Sequence, residues 1–113
     1  MNWSEAREIQ EQRPLTMQDR MALAADEAAT MLKALSNPSR LLLLCQLVDG
    51  EKSVGELESA LDLSQAYVSQ QLARLRAEGL VAATREGRIV RYRLADGRVR
   101  PVIQTLYEQY CNL

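Results

Sequence analysis

Histidine and phenylalanine are absent from this 113-residue chain, tryptophan occurs once and cysteine twice. Without histidine the chain lacks a common general base and a common metal ligand. The cysteines stand at positions 45 and 111, so there is no Cys-x-x-Cys motif, and no Gly-rich loop offers a phosphate cradle. An enzyme, such as a thiol oxidoreductase, therefore has little to work with, and no cofactor is implied. Long apolar runs are missing too: with 26% charged residues, no stretch reaches the roughly 18 residues of a membrane span. Residues 1–15 lack the basic start, apolar core and small-residue cleavage site of a secretory signal, which makes a cytoplasmic location the expectation. Leucine is abundant where phenylalanine is missing, so the core should be aliphatic and built from interlocking helices rather than a large sheet. A chain of this length supports one such core.

What the chain does have is an uneven charge. The net charge is −1, but residues 64–100 hold eight arginines against three acids, a net of +5 that leaves −6 for the remainder. Local positive charge is what phosphate neutralisation requires, and an acidic remainder limits indiscriminate sticking to DNA. A solvated Arg-rich surface would carry the same charge, so the pattern alone leaves both readings open.

Residues 1–15 are polar, contain Pro14 and show little periodicity, and a flexible arm is expected there. A single domain is expected over 16–113. From Met17 to Leu35, apolar residues at 21, 24, 25, 28, 32 and 35 mark a first helix. Asn37-Pro38 is a start signal for a second helix running to about Val48, apolar nearly all round and hence expected at the centre of the core. Ser53-Val54-Gly55-Glu56 fits a capping box opening a short helix that ends near Leu61. Asp62-Leu63 then turns the chain and Ser64 caps a longer helix, about 64–78, with Val68, Leu72 and Leu75 inward and Gly79 as its stop. Leu80–Arg85 and Ile89–Leu94 read as strands of a hairpin, about 80–94, around Glu86-Gly87-Arg88. In the second strand Val90, Tyr92 and Leu94 should face inward, with Arg91 and Arg93 outward and Arg88 at the tip. A last helix, about 96–112, has Val102, Ile103, Leu106, Tyr107 and Tyr110 as its apolar stripe.

Short helix, turn, longer helix and hairpin is the order of a winged helix-turn-helix, a mainly α fold with a β-hairpin wing. With its apolar residues inward, the longer helix turns Ala66, Tyr67, Gln70, Ala73, Arg74 and Ala77 outward, flanked by Ser69. Gln70 can pair with an adenine edge, Arg74 can reach guanine or phosphate, and Ser64 and Gln65 lie where helix-terminal groups meet backbone phosphates. Arg88 and Arg91 on the hairpin add phosphate contacts. Any amphipathic helix has a polar outer face; the Arg-bearing hairpin beside this one shifts the reading towards double-stranded DNA. A module that binds another protein stays open as an alternative.

From Ala34 to Cys111 the chain resembles the ArsR/SmtB family of winged-helix repressors. The segments that carry the resemblance are Ala34-Leu35-Ser36-Asn37-Pro38-Ser39-Arg40-Leu41, the stretch Leu63-Ser64-Gln65-Ala66-Tyr67-Val68-Ser69-Gln70-Gln71-Leu72-Ala73-Arg74-Leu75-Arg76, and Glu78-Gly79-Leu80-Val81. The resemblance implies a homodimer formed by the first and last helices, recognition through Gln65, Ser69 and Gln70, and operator release on an inducing signal. Many members sense metals through clustered Cys before the recognition helix, or through His and carboxylates on the last helix. Here no His exists and residues 53–57 hold no Cys, so a metal-responsive repressor is the alternative rather than the first reading.

Cys45 on the second helix and Cys111 near the chain end could each be a small core residue. Their positions, in Leu43-Leu44-Cys45 and Tyr107-Glu108-Gln109-Tyr110-Cys111, are similar to the dithiol pair of the SqrR/BigR-like branch, which responds to persulfides and other reactive sulfur. That resemblance implies a redox-sensing pair joined by a disulfide or polysulfide bridge in a form that binds DNA poorly. Both cysteines lie towards helix C-termini, where the dipole disfavours a thiolate.

Overall fold

The computed structural model describes residues 14–111, and the chain divides into two units at Met31/Leu32. The expected N-terminal arm falls, up to residue 13, outside the described residues. Helix α1 spans Met17–Leu35. Thr16 and Asp19 start it by reciprocal capping: the Thr16 amide donates to Asp19 Oδ2 and the Asp19 amide to Thr16 Oγ1, both at 3.0 Å. Much of its apolar surface lies open, with Met21 66% and Leu32 60% exposed, whereas Ala34 and Leu35 at its end are buried. No helix among the described residues is long and apolar enough to cross a membrane.

In the second unit, Asn37 caps α2 (Pro38–Gln46) by accepting the Arg40 amide at 3.1 Å, and Pro38 occupies the first turn, where no N–H is missed. The capping box at Ser53 and Glu56 opens α3 (Val54–Leu61) as the sequence predicts. Asp62 ends it in the left-handed region, at φ 54°, a conformation Asp tolerates better than most side chains. Ser64 Oγ accepts the Tyr67 amide at 3.2 Å and starts α4, Gln65–Ala77. Strands β2 (Val81–Glu86) and β3 (Ile89–Leu94) form the hairpin, one residue later than predicted on the first strand. Glu86 still pairs with Ile89, so Gly87-Arg88 is a two-residue turn, and Gly87 supplies the positive φ of 62°. A third strand, β1 (Lys52–Ser53), was not predicted and pairs antiparallel with β3, Ser53 opposite Arg91. Two residues are too few to show a period.

The core is aliphatic: Leu43, Leu44, Leu57, Val68, Leu72, Leu75 and Ile103 are wholly buried. Arg40 is buried with them, and its Nε and Nη1 meet no acceptor among the described residues, which subtracts from the stability of the single chain. Three predictions are corrected. Helix α2 is not surrounded on every side, because Leu42 is exposed and Leu41 and Cys45 are half-buried. In β3 burial does not alternate: Leu94 alone is buried, whereas Val90, Tyr92, Arg91 and Arg93 are all half-buried. A projecting ribbon has core beneath it only at its base. The last helix starts at Val99, after a turn in which Gly97 takes φ 91°; it is α-helical to Leu106 (α5) and continues as a π-helical turn, Tyr107–Cys111.

Truncating Leu72 to Ala should cost about 2–5 kcal/mol in urea unfolding through the cavity it leaves, whereas Gln70→Ala, on the open face of the same helix, should change stability by no more than about 0.5 kcal/mol.

Candidate nucleic-acid interface and cysteine pair

Helix α4 presents Gln65, Ser69, Gln70 and Arg74 to solvent, and Val68, Leu72 and Leu75 fix its opposite face in the core. Tyr67 is half-buried, so only part of its ring is open. Ser64 uses a lone pair as the cap and keeps its hydroxyl proton free to donate. The first amides of α4 have no partner inside the helix, which makes its start favourable to an anion. An open groove of about 540 Å³ lies beside that start, bordered by Ser53, Gly55, Glu56, Gln65, Arg88 and Arg91. Three of the predicted DNA-contacting residues, Gln65, Arg88 and Arg91, thus come to one place, and Arg88 has no ion pair among the described residues.

The other two arginines are held. Arg74 Nε lies 3.5 Å from Glu78 Oε1, one helical turn on. Arg91, predicted to point freely outward, sets Nη1 3.2 Å from Glu56 Oε1 and Nε 3.7 Å from Glu86 Oε2. Arg93, on the same face, donates to Thr84 Oγ1 at 2.8 Å. Glu56 and Glu86 are the residues that sequence reasoning missed; the capping box marks Glu56 as a helix-starting residue, and nothing local in sequence reveals its partner 35 positions away. The Ser53 amide and then the Ser53 hydroxyl hold the Glu56 carboxyl below the ordinary range; partial desolvation opposes them, and Arg91 adds a smaller lowering effect.

On another side of the unit, Cys45 of α2 and Cys111 of the π-helical turn line one groove of about 540 Å³, walled by Pro38, Leu41, Leu42, Leu106 and Tyr110. The two thiols are free and neighbouring. Burial pushes the Cys45 thiol from 9.0 up to about 11, and the charge and hydrogen bonding of Cys111 push the same way. Such a thiol keeps its proton at neutral pH. Cys111 is exposed. Sequence separation hides this meeting; the packing of α5 against α2, with Ile103 wholly buried, produces it. Among the described residues, no three His, Cys, Asp or Glu side chains gather as metal ligands would.

Comparison with known proteins matches residues 37–83 to the model of the bacterial regulatory protein, arsR family. The chain is 46% identical over 91 residues to the biofilm growth-associated repressor of Agrobacterium fabrum, covering 80% of this chain and 78% of that one. It is 44% identical to the transcriptional activator HlyU of Vibrio cholerae over 99 residues, 88% of this chain and 91% of the other. Among solved structures, the transcriptional repressor BigR from Xylella fastidiosa superposes with a TM-score of 0.80 at 41% identity, covering 85% of this chain and 95% of BigR.

With the reduced chain at pH 8, a thiol-alkylating reagent should modify Cys111 well before Cys45, and the Cys45 rate should keep climbing with pH to about 11. Peptide mass mapping at timed quench points reads both rates; equal rates at pH 8 would contradict the assignment.

Proposed function

The chain belongs to the arsR family of bacterial regulatory proteins, and on that premise we propose that this winged-helix transcriptional regulator is a homodimeric repressor that releases its operator when reactive sulfur bridges Cys45 and Cys111. The observation that carries the sensing half is the contact of two thiols from distant parts of the chain in one apolar groove. The relatives' names include both a repressor and an activator; repression follows the BigR-like side of the comparison.

On the DNA side, α4 lies in the major groove, where Gln65, Ser69 and Gln70 read base edges, while Ser64, Tyr67, Arg74, Arg88 and Arg91 position the phosphate backbone. A second copy completes the reader. Open apolar residues on α1, Met17, Met21 and Leu32 among them, give a twofold interface its material, and a dimer calls for two related half-sites about one helical turn or more apart.

On the sulfur side, the exposed Cys111 sulfur attacks the terminal sulfur of a persulfide R–S–SH. The S–S bond breaks, R–SH leaves, and Cys111 becomes Cys111–S–SH. The Cys45 sulfur then attacks the Cys111 sulfur, expelling the added atom as hydrosulfide, which takes up the Cys45 proton. Two thiols are oxidised and one sulfane sulfur is reduced to hydrogen sulfide. If Cys111 gains a second sulfur first, attack on the inner added atom leaves one sulfur in the bridge and again expels hydrosulfide. The bridge ties the π-helical turn to α2, which packs against α3 of the reading head. A coupling of about 1–3 kcal/mol through that contact changes DNA affinity about 5- to 150-fold.

Cys45→Ser and Cys111→Ser should each bind an operator selected from a random duplex pool as the parent does, yet keep it when persulfide is added. Fluorescence anisotropy reads this directly, and release from either variant would refute the proposal. In the same assay, Arg88→Ala should weaken binding to operator and scrambled duplex alike, whereas Gln70→Ala should chiefly narrow the gap between them, by about 1–3 kcal/mol.

A further inference from the structure

Arg91 is the best-placed cation on the wing and the most thoroughly occupied. Its backbone pairs with Ser53 across β1 and β3, and its guanidinium reaches Glu56 at 3.2 Å and Glu86 at 3.7 Å. The contact with Glu56 is asymmetric. Glu56 Oε1 also accepts the Ser53 amide at 3.2 Å as half of the capping box, so the carboxylate is anchored to the start of α3 and cannot follow a departing partner. Among the described residues, the Arg91 side chain is tied only by the hydrogen bond to Glu56 and the longer ion pair with Glu86. Its side chain is 34% exposed against 53% for Glu56, a setting in which ion pairs contribute little and are readily exchanged. The groove alongside, between Gln65 at the head of α4 and Arg88 at the wing tip, is open to an incoming anion.

We infer that Glu56 acts as a stand-in for a DNA phosphate: it holds Arg91 in the free protein and gives it up to the sugar-phosphate backbone when the wing engages DNA. A guanidinium fork takes two phosphate oxygens as well as it takes carboxylate oxygens, so the exchange conserves its hydrogen bonds. Each binding event must first break the internal pair, and the freed Glu56 then faces a phosphate of like charge. The carboxylate therefore lowers affinity for every DNA sequence by the same factor, which limits non-specific occupancy without touching base reading. This rests on the reading of α4 and the wing as the DNA face, and the test below separates the two.

The experiment is a double-mutant cycle on the full reduced chain, with anisotropy on a fluorescent operator selected from a random pool and on a scrambled duplex across a salt series. Glu56→Gln keeps a side-chain acceptor at the capping position. It should tighten binding to both duplexes by about two- to five-fold in the parent. In the Arg91→Ala background it should leave binding nearly unchanged. Glu86→Gln, away from any helix cap, should shift affinity in the same direction by less, which keeps the test open should Glu56→Gln fold poorly. Arg91→Ala itself should weaken binding and reduce the salt slope by about 1. If Glu56→Gln does not tighten binding, or tightens it equally without Arg91, the exchange is refuted while the DNA face stands. If Arg91→Ala changes neither affinity nor slope, the wing's DNA-facing role fails and takes the exchange with it.

Discussion

Everything in the second unit leans on α2, a nine-residue helix that is apolar on more faces than one core can cover. Leu43, Leu44 and Leu47 are sunk into the body of the unit, where burying each contributes about 1.5–3 kcal/mol. Through those contacts α2 touches α3, the first helix of the reading head, and α5, the helix that leads to Cys111. Its remaining side, with Leu41, Leu42 and Cys45, is left to wall the cysteine groove. One element thus serves as floor for the winged helix-turn-helix and as wall for the cysteine groove. A close-packed interior transmits small displacements rather than absorbing them, and on the proposed function that is the route from a bond at Cys45 to α3.

The same economy governs the charges. Of the arginines that give the reading half its net positive charge, Arg74 is paired with Glu78 and Arg91 with Glu56 and Glu86. These pairs are largely exposed and contribute little to stability; for Arg91 the proposed exchange gives them a role in DNA affinity instead. Arg88, in a two-residue turn at the tip of the wing, has no ion pair among the described residues.

Much of this was legible in the sequence, and for identifiable reasons. Caps announce themselves locally: Asn37-Pro38, Ser53 with Glu56, and Ser64 each start a helix where the residue types say they should. So does the hairpin, through Gly87. What stayed hidden was non-local. The two-residue β1 has no period, the pairing of Glu56 with Arg91 spans 35 positions, and the meeting of Cys45 with Cys111, implied by the family resemblance alone, depends on how α5 docks. The alternation expected in β3 failed because a projecting wing has no second layer to bury one face. The change from α to π at Tyr107 has no sequence signal that we can name, yet it carries Cys111 to the groove.

The measurement that bears most directly on the account is a single titration of operator-bound protein with persulfide, in which bridge content by intact mass and bound fraction by anisotropy are read from the same samples. Bound fraction falling in step with the Cys45–Cys111 bridge is the predicted result. Full bridging with the operator still held, or release before any bridge forms, would contradict it.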